Sequence, residues 1–352
     1  MADGARDQPV QRLLVVMPTW LGDCVMATPL LRALRHLYPA AHIKALVAKN
    51  IRAILDATPW IDAFVTVRDR ADGPLRLSRR LALGRFDAAV LLPNSFRTAV
   101  IMAMAGIGRR IGYQRDGRGL LLTDRLIPPK RNGHFVPVPA VEYYLDIAHY
   151  LGATDVEPSM QLFSRQEDDD AANHLLDRAK LNRPDKSFQP LVLLNPGAQK
   201  VVKRWPTDHF AQVAERCSES FGAMVAVTGA PGEYPVLKAV TQAARVPVIN
   251  LLDHGLNLRL LKSIIRRTSL LITNDTGPRH IAAAMGTPVV TLFGPTAPQW
   301  TEIGFADERQ IVAPLTRSSR RVKPDRSMAS ITVDAVFEKS AELLQLRAGA
   351  QM

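Results

Sequence analysis

Three short segments of the sequence combine carboxylates, cations and small residues directly after a run of apolar residues. Pro18–Asp23 (PTWLGD) lies just after the run RLLVV, and Asn195–Pro206 (NPGAQKVVKRWP) ends the run LVLLN. Asn274–His280 (NDTGPRH) follows LLIT. Short, β-rich apolar runs are typical of buried strands, and α/β proteins bind their ligands at the carboxyl ends of parallel strands. These segments are therefore the first candidates for a functional site.

The first segment carries a single carboxylate, Asp23, behind Gly22 at the predicted start of a helix. An exposed carboxylate at the mouth of a sheet can take a proton from a sugar hydroxyl as a general base. Asp is also a favoured N-cap residue, so a structural role in starting the helix stands beside the catalytic role. Gly22 permits a tight turn or a close approach of the backbone.

The other two segments contain groups that bind diphosphates. Lys203 as a compact cation, or Arg204 as a planar fork, can hold a phosphate. The alternative is a solvated basic loop that Trp205 anchors in the core. Thr276 and Gly277 stand at a predicted helix start, where free backbone amides and a hydroxyl bind anions.

Three more titratable residues lie in or near these segments. Asp275 would repel a diphosphate, so we expect it to orient the segment by capping the helix or bonding backbone amides. His280 either donates to a phosphate or sugar hydroxyl or is a buried, hydrogen-bonded structural histidine. Glu233 ends the segment Thr228–Glu233 (TGAPGE), where it either holds a pair of ribose hydroxyls or belongs to a surface turn.

The composition excludes several classes of protein. The 352 residues are 47% hydrophobic and 22% charged, which is typical of a globular chain rather than a disordered one. Two cysteines, Cys24 and Cys217, exclude a disulfide scaffold and suit a reducing compartment. No apolar run approaches the ~18 residues of a membrane span, and the N-terminal segment lacks a signal-peptide core, so we expect a cytoplasmic protein.

The chain carries a formal net charge of +12. This charge indicates an anionic partner, which is a nucleic acid, an acidic lipid or a phosphorylated substrate, unless it serves only solubility. Asp168–Asp170 is the one run that suggests a metal-binding carboxylate cluster. It is predicted to be a solvated helix start, so no metal site is predicted.

Strands and helices alternate along the chain, which predicts an α/β fold with parallel sheets. The predicted strands are Arg12–Pro18, His42–Ala48, Ala63–Val67, Asp87–Pro93 and Arg110–Tyr113, then Leu191–Asn195, Ala223–Thr228, Val246–Leu251, Leu270–Thr273 and Pro288–Phe293. The predicted helices include Val25–Leu37, Ala99–Ala105, Val141–Leu151 and Val333–Leu346. We expect one domain over residues 1–165, a polar connector over 166–189 and a second domain over 190–352. The sequence leaves two positions for the last helix, which packs either on the second domain or back on the first.

Taken together, the segments PTWLGDCVMATPLLRAL, NPGAQKVVKRWP and ITNDTGPRHIAAAMGTPVVTLFGPT resemble the signatures of glycosyltransferase family 9, the heptosyltransferases of lipopolysaccharide core synthesis. The resemblance covers roughly Arg12 to Leu346. It implies a GT-B-like fold, with two Rossmann-like domains whose parallel sheets face a central cleft. It also implies inverting transfer of heptose from ADP-heptose to the heptose of the inner core, without a metal or other cofactor.

The resemblance also implies a role for individual residues. Asp23 is similar to the general base, and Lys203 to the lysine that binds the diphosphate. The donor-binding segment corresponds to Asp275, Thr276, Gly277 and His280, and Glu233 falls near the ribose contact. Many relatives carry a cysteine cluster where this chain has Arg317–Arg326, which contains five basic residues and one acidic residue. We expect that segment to contact an anionic acceptor or a membrane surface.

Two alternatives stay open at this point. One is a family 9 enzyme that uses another nucleotide sugar or another glycan acceptor. The other is a non-catalytic, basic nucleic-acid-binding protein, which is disfavoured because the motifs place catalytic residue types at strand ends rather than aromatic side chains on a basic face. The expected partners are therefore ADP-heptose, an anionic glycolipid and, peripherally, the cytoplasmic face of the inner membrane, without nucleic acid.

Overall fold

The computed structural model describes residues 10–67, 72–181, 189–295, 298–314 and 327–349. The chain forms two compact units. The first comprises Met1–Met160 with Gln299–Glu302, and the second comprises Gln161–Pro298 with Ile303–Met352. Each unit is built on its own six-stranded parallel sheet.

The sheet of the first unit has the strand order β3-β2-β1-β4-β5-β6. Its strands are β1 (Arg12–Val16), β2 (His42–Ala48), β3 (Ala63–Val67), β4 (Ala88–Leu91), β5 (Arg109–Tyr113) and β6 (Asp124–Leu126). Its helices are α1 (Leu21–Met26), α2 (Thr28–Leu37), α3 (Arg52–Leu55), α4 (Pro74–Ala82), α5 (Phe96–Met104) and α6 (Ala140–Tyr150). A small antiparallel ribbon joins β7 (Lys130–Arg131) to β8 (His134–Phe135). The order reverses at β1 and β4, and ligands of such sheets bind at the carboxyl ends of the strands beside that reversal.

The sequence predicts one helix over Val25–Leu37, and the structure forms two, α1 and α2. The break follows from Pro29, which has no N–H to donate to the carbonyl of Val25. The hydroxyl of Thr28 donates to that carbonyl instead, at 2.7 Å. The chain turns at Ala27, which ends α1 and precedes α2.

The second unit repeats the plan with the order β11-β10-β9-β12-β13-β14. Its strands are β9 (Leu191–Asn195), β10 (Met224–Val227), β11 (Val248–Asn250), β12 (Leu270–Asn274), β13 (Val289–Phe293) and β14 (Glu308–Val312). Its helices are α7 (Gln166–Arg178), α8 (Thr207–Phe221), α9 (Tyr234–Ala243), α10 (Leu258–Arg267), α11 (Gly277–Met285) and α12 (Val333–Gly349). Strands β9, β12 and β13 are buried over their whole length, as expected for a parallel sheet covered on both faces. The reversal lies at β9 and β12.

Each predicted strand overlaps an observed one, but the edge strands β6 and β14 were not predicted. Their sequences, DRL and ERQIV, are short and carry charged residues. Edge strands are exposed along one side and are commonly marked by charges, so they lack the apolar run that identified the central strands.

The predicted connector is partly helical, because its residues 166–178 form α7, which packs on α10 in the second unit. The expectation of a solvated helix start was wrong for Asp168 and Asp169, whereas Asp170 is exposed as predicted. Asp168 and Asp169 are 3% and 7% exposed. Asp168 pairs with Arg259, and Asp169 pairs with Arg266 at 2.7 Å. Buried carboxylates need such partners, and here those partners join α7 to α10.

The final helix, α12, packs against α8 and against β12, β13 and β14, so its partners lie in the second unit. Arg347 near its end donates to the carbonyl of Thr268 at 3.0 Å. Across the described ranges of the chain, no helix is long and apolar enough to cross a membrane.

Candidate active site

In the first unit, Asp23 is the third residue of α1, two positions after the strand-to-helix turn. The N-cap residue is Trp20, in extended conformation, so Asp23 does not cap the helix. The carboxylate is also half-buried rather than exposed, which corrects the sequence-based expectation. The turn is fixed by the buried thiol of Cys24, which donates to the carbonyl of Pro18 at 3.0 Å. The structure therefore removes the capping alternative.

The surroundings of Asp23 favour a proton acceptor. Burial raises the pKa of Asp23 above its ordinary value. Within the described part of the chain, neither a cation nor a hydrogen-bond donor pairs with its carboxylate. The buried phenol of Tyr144 lies near enough for the Asp23 charge to add to the effect of burial on the pKa of that phenol. A carboxylate that is partly desolvated and has no counter-ion is a stronger base than one in water.

In the second unit, two buried asparagines join the ends of β9 and β12. The amide of Asn274 donates to the carbonyl of Pro196 at 2.9 Å, and its oxygen accepts from the backbone N–H of Trp205 at 3.1 Å. Asn195 donates to the hydroxyl of Thr276 at 2.9 Å. These bonds bring the second and third sequence segments into one site. Sequence reasoning did not single out the two asparagines, although an amide closing each buried apolar strand was a signal for them.

Lys203 and Asp275 meet directly in this site. The Nζ atom of Lys203 lies 2.9 Å from Oδ2 of Asp275. Burial acts to raise the pKa of Asp275, but the charges of Lys203 and Arg279 outweigh it, and the pKa lies below its ordinary value. Asp275 therefore forms an ion pair with Lys203, a partner that the sequence did not suggest.

The ion pair continues into the core of the unit. Arg279, fully buried, places Nη1 3.6 Å from Oδ1 of Asp275. On its other side Arg279 donates twice to Glu308, at 2.6 and 3.0 Å. Lys203, Asp275, Arg279 and Glu308 thus form a row of alternating charges, which we call the charge row. Neither Arg279 nor Glu308 was among the sequence candidates.

Thr276 and Gly277 lie where α11 begins, as predicted. Thr276 is the N-cap residue in extended conformation, and its hydroxyl donates to the carbonyl of Asn274 at 3.2 Å. Gly277 leads the helix, Pro278 has no N–H, and Arg279 N donates back to Thr276. The leading amide at Gly277 stands at the positive end of a nine-residue helix, where an anion is stabilised.

His280 is only 3% exposed. Burial and the neighbouring charge of Arg279 lower the pKa of His280 to about 3, so the imidazole is neutral at physiological pH. Its Nδ1 atom is buried and has no hydrogen-bond partner among the described residues. The structural alternative, a hydrogen-bonded core histidine, is therefore not what the structure shows at this nitrogen, and the lowered pKa disfavours a cationic role.

Glu233 lies against the loop that follows β9. Its Oε2 atom accepts from the backbone N–H of Ala230 at 2.8 Å. A Cβ atom added at Gly197 would lie 2.3–2.4 Å from the Glu233 carboxyl group. Residue 197 must therefore lack a side chain if the Glu233 carboxylate is to keep its observed position. The structure thus brings Glu233 next to the segment that carries Lys203.

This close approach gives a prediction for Gly197→Ala. The new methyl group displaces the end of a flexible side chain, so the free energy of unfolding should change by less than about 1 kcal/mol. The Glu233 carboxylate has to move, and we expect the affinity for ADP to fall about tenfold if it contacts the ribose. Calorimetric titration with ADP measures this, with Gly232→Ala, where a Cβ meets nothing within 4 Å, as the matched control. Unchanged affinity in Gly197→Ala would contradict the ribose assignment.

Two further expectations from the sequence concern the basic segment and the binding of a metal. The basic segment Arg317–Arg326 lies outside the described residues. Among the residues that the structure describes, no group of three or more His, Cys, Asp or Glu side chains is placed to hold a metal ion.

Known proteins match this chain over nearly its whole length. It is 28% identical to lipopolysaccharide heptosyltransferase 2 of Escherichia coli K12, over 95% of this chain and 98% of that one. The structure of E. coli ADP-heptose lipopolysaccharide heptosyltransferase II superposes with a TM-score of 0.79 at 25% identity, covering 96% of this chain and 100% of that one. A family 9 glycosyltransferase structure from Veillonella parvula gives a TM-score of 0.82 at 21% identity, covering 97% and 99%.

These matches confirm the predicted GT-B class of two parallel α/β sheets. They also favour the glycosyltransferase prediction over the nucleic-acid-binding alternative. The model of glycosyltransferase family 9 (heptosyltransferase) matches residues 74–330. This range includes the strand-end segments that carry Lys203, Asp275 and Thr276, and it covers well over half of the chain. The chain therefore belongs to glycosyltransferase family 9, the heptosyltransferases.

Proposed function

We propose that this enzyme transfers heptose from ADP-heptose to the heptose of the lipopolysaccharide inner core, with inversion at the anomeric carbon. The observation that carries the proposal is Asp23, a half-buried carboxylate of raised pKa without a counter-ion among the described residues, placed after the central strand β1. The names of the relatives support the choice of donor and acceptor.

An inverting transfer needs one base and a stabilised leaving group. Asp23 takes the proton from an acceptor hydroxyl while that oxygen attacks the anomeric carbon. The bond between the anomeric carbon and the ADP oxygen breaks on the opposite face of the sugar. One base and a stabilised leaving group are sufficient for this displacement, because inversion forms no covalent sugar–enzyme intermediate.

The second unit supplies the groups for the leaving ADP. The Lys203 ammonium and the leading amide of Gly277 stabilise the negative charge that develops on the diphosphate. Asp275 holds Lys203 at 2.9 Å, so the ammonium is oriented before the donor arrives. His280, neutral at working pH, serves as a hydrogen-bonding group, and Glu233 contacts the ribose.

A buried cation without an ion-pair partner among the described residues adds to the positive field of the first unit, and this field supports an anionic acceptor. Arg118 is fully buried, and it donates to the carbonyls of Tyr113 (2.8 Å) and Pro93 and to the side chain of Asn94 (3.0 Å). No carboxylate among the described residues lies within ion-pair distance of it. The net charge of +12 acts in the same direction and supports peripheral contact with an anionic membrane surface.

Incubation of the enzyme with ADP-heptose and an inner-core lipid carrying one heptose tests the proposal. We expect mass spectrometry to show the gain of one heptose and the release of ADP. The same mixture with UDP-glucose as donor serves as the control and should leave the lipid unchanged. ADP-heptose binding without transfer would contradict the acceptor, and neither binding nor transfer would contradict the donor.

A further inference from the structure

Glu308 lies on the edge strand β14, at the inner end of the charge row. Its carboxylate accepts two bonds from Arg279, one from the hydroxyl of Thr291 at 2.6 Å and one from the amide of Gln310 at 2.9 Å. Its side chain is almost fully buried, at 4% exposed. Four donors on one buried carboxylate hold it in a single orientation.

We propose that Glu308 is a positioning residue for the donor, which acts on the Lys203 ammonium without touching the substrate. The effect passes through the two charges in the middle of the charge row, Arg279 and Asp275. This inference rests on the proposed role of Lys203 at the diphosphate.

The physical basis is that two carboxylates, Asp275 and Glu308, share one buried guanidinium, that of Arg279. Arg279 is fully buried, and the carboxylates beside it stabilise its charge. Glu308 binds it through two short bonds, whereas Asp275 lies at the longer distance of 3.6 Å. Asp275 is therefore left to make its short contact, 2.9 Å, with Lys203.

Loss of the negative charge at Glu308 changes this distribution. Asp275 then becomes the nearest remaining carboxylate for Arg279 and is drawn away from Lys203. His280, which also lies beside these charges, has a lowered pKa and supplies no compensating charge at neutral pH. Lys203 loses its anchor, and its ammonium is no longer held in one place.

A double-mutant cycle tests this coupling with ADP binding measured by calorimetry. We expect Glu308→Gln to raise the Kd for ADP about tenfold in the natural chain. In the Lys203→Ala background the same substitution should change the Kd by less than about twofold, because the group through which it acts is gone. Glu342→Gln, which loosens an exposed ion pair to the same strand at Arg309, is the matched control and should leave the Kd unchanged.

A second variant tests whether the effect of Glu308→Gln on ADP binding comes only from a loss of folding. Arg279→Met combined with Glu308→Leu removes the inner pair of charges together, which folded proteins commonly tolerate. Asp275 then keeps Lys203 as its partner, so we expect a Kd for ADP within about threefold of that of the natural chain, below that of Glu308→Gln.

The outcomes distinguish the role of Glu308 from the role of Lys203 at the diphosphate. If Lys203→Ala weakens ADP binding but Glu308→Gln acts equally in both backgrounds, Glu308 has only a structural role and this inference fails. The inference also fails if the double charge removal binds ADP more weakly than Glu308→Gln alone. If Lys203→Ala leaves ADP binding unchanged, the diphosphate assignment and this inference both fail.

Discussion

Replacing Asp23 by Asn should lower the rate of sugar transfer by about 10²–10⁴-fold, the usual contribution of a general base. The amide keeps the shape of the side chain but cannot accept a proton from the acceptor hydroxyl. ADP binding should be unchanged, because the proposed diphosphate groups belong to the second unit. Initial rates with saturating substrates and calorimetric titration with ADP measure the two quantities. Asp155→Asn, at an exposed position of the same unit, is the control and should transfer at the normal rate.

The same substitution should not destabilise the protein. Burial raises the pKa of Asp23, so folding at neutral pH carries the cost of a partly desolvated charge. The unfolded chain binds fewer protons at this residue than the folded one, and stability gains as pH falls through the raised pKa. Asp23→Asn removes this cost, and we expect a free energy of unfolding at pH 7 equal to or above that of the natural chain. A clear loss of stability together with normal transfer would contradict the base assignment.

Replacing Arg279 by Met should lower the free energy of unfolding by about 3–5 kcal/mol. The methionine fills much of the volume but leaves Glu308 buried with a full negative charge, held by the neutral donors Thr291 and Gln310. It also removes a cation from Asp275. Urea denaturation at neutral pH measures the change, with circular dichroism to follow the helices.

Arg309→Met provides the comparison on the neighbouring residue. Arg309 pairs with Glu342 at 2.8 Å, but both side chains are partly exposed, at 25% and 40%. Exposed pairs contribute about 0–1 kcal/mol, so this variant should lose little stability. Equal losses in the two variants would show that burial of the Arg279–Glu308 pair is not what makes it important.

The local sequence pattern was sufficient to predict the central strands and to single out the three segments that follow them. Buried strands such as LLVV and LVLL are nearly continuous apolar runs, because parallel sheets are covered on both faces. The carboxyl ends of such strands hold the loops of a doubly wound sheet, so Asp23, Lys203 and Thr276 could be singled out from their positions alone. Proline at residue 278 and glycine at residue 286 also marked the limits of α11.

The remaining features depend on residues that are far apart in the chain. The partial burial of Asp23 depends on α6, which packs against α1 and carries Tyr144. The partner of Lys203 is Asp275, 72 residues away, and Glu308 joins them from an edge strand whose charged sequence did not predict a strand. The pKa values of Asp23 and His280 follow from burial, which is a property of the assembled core. Residue type and short-range spacing therefore identified the candidate segments, while the contacts between distant segments set the charge and orientation of each group, because burial and ion pairing exist only once those segments meet.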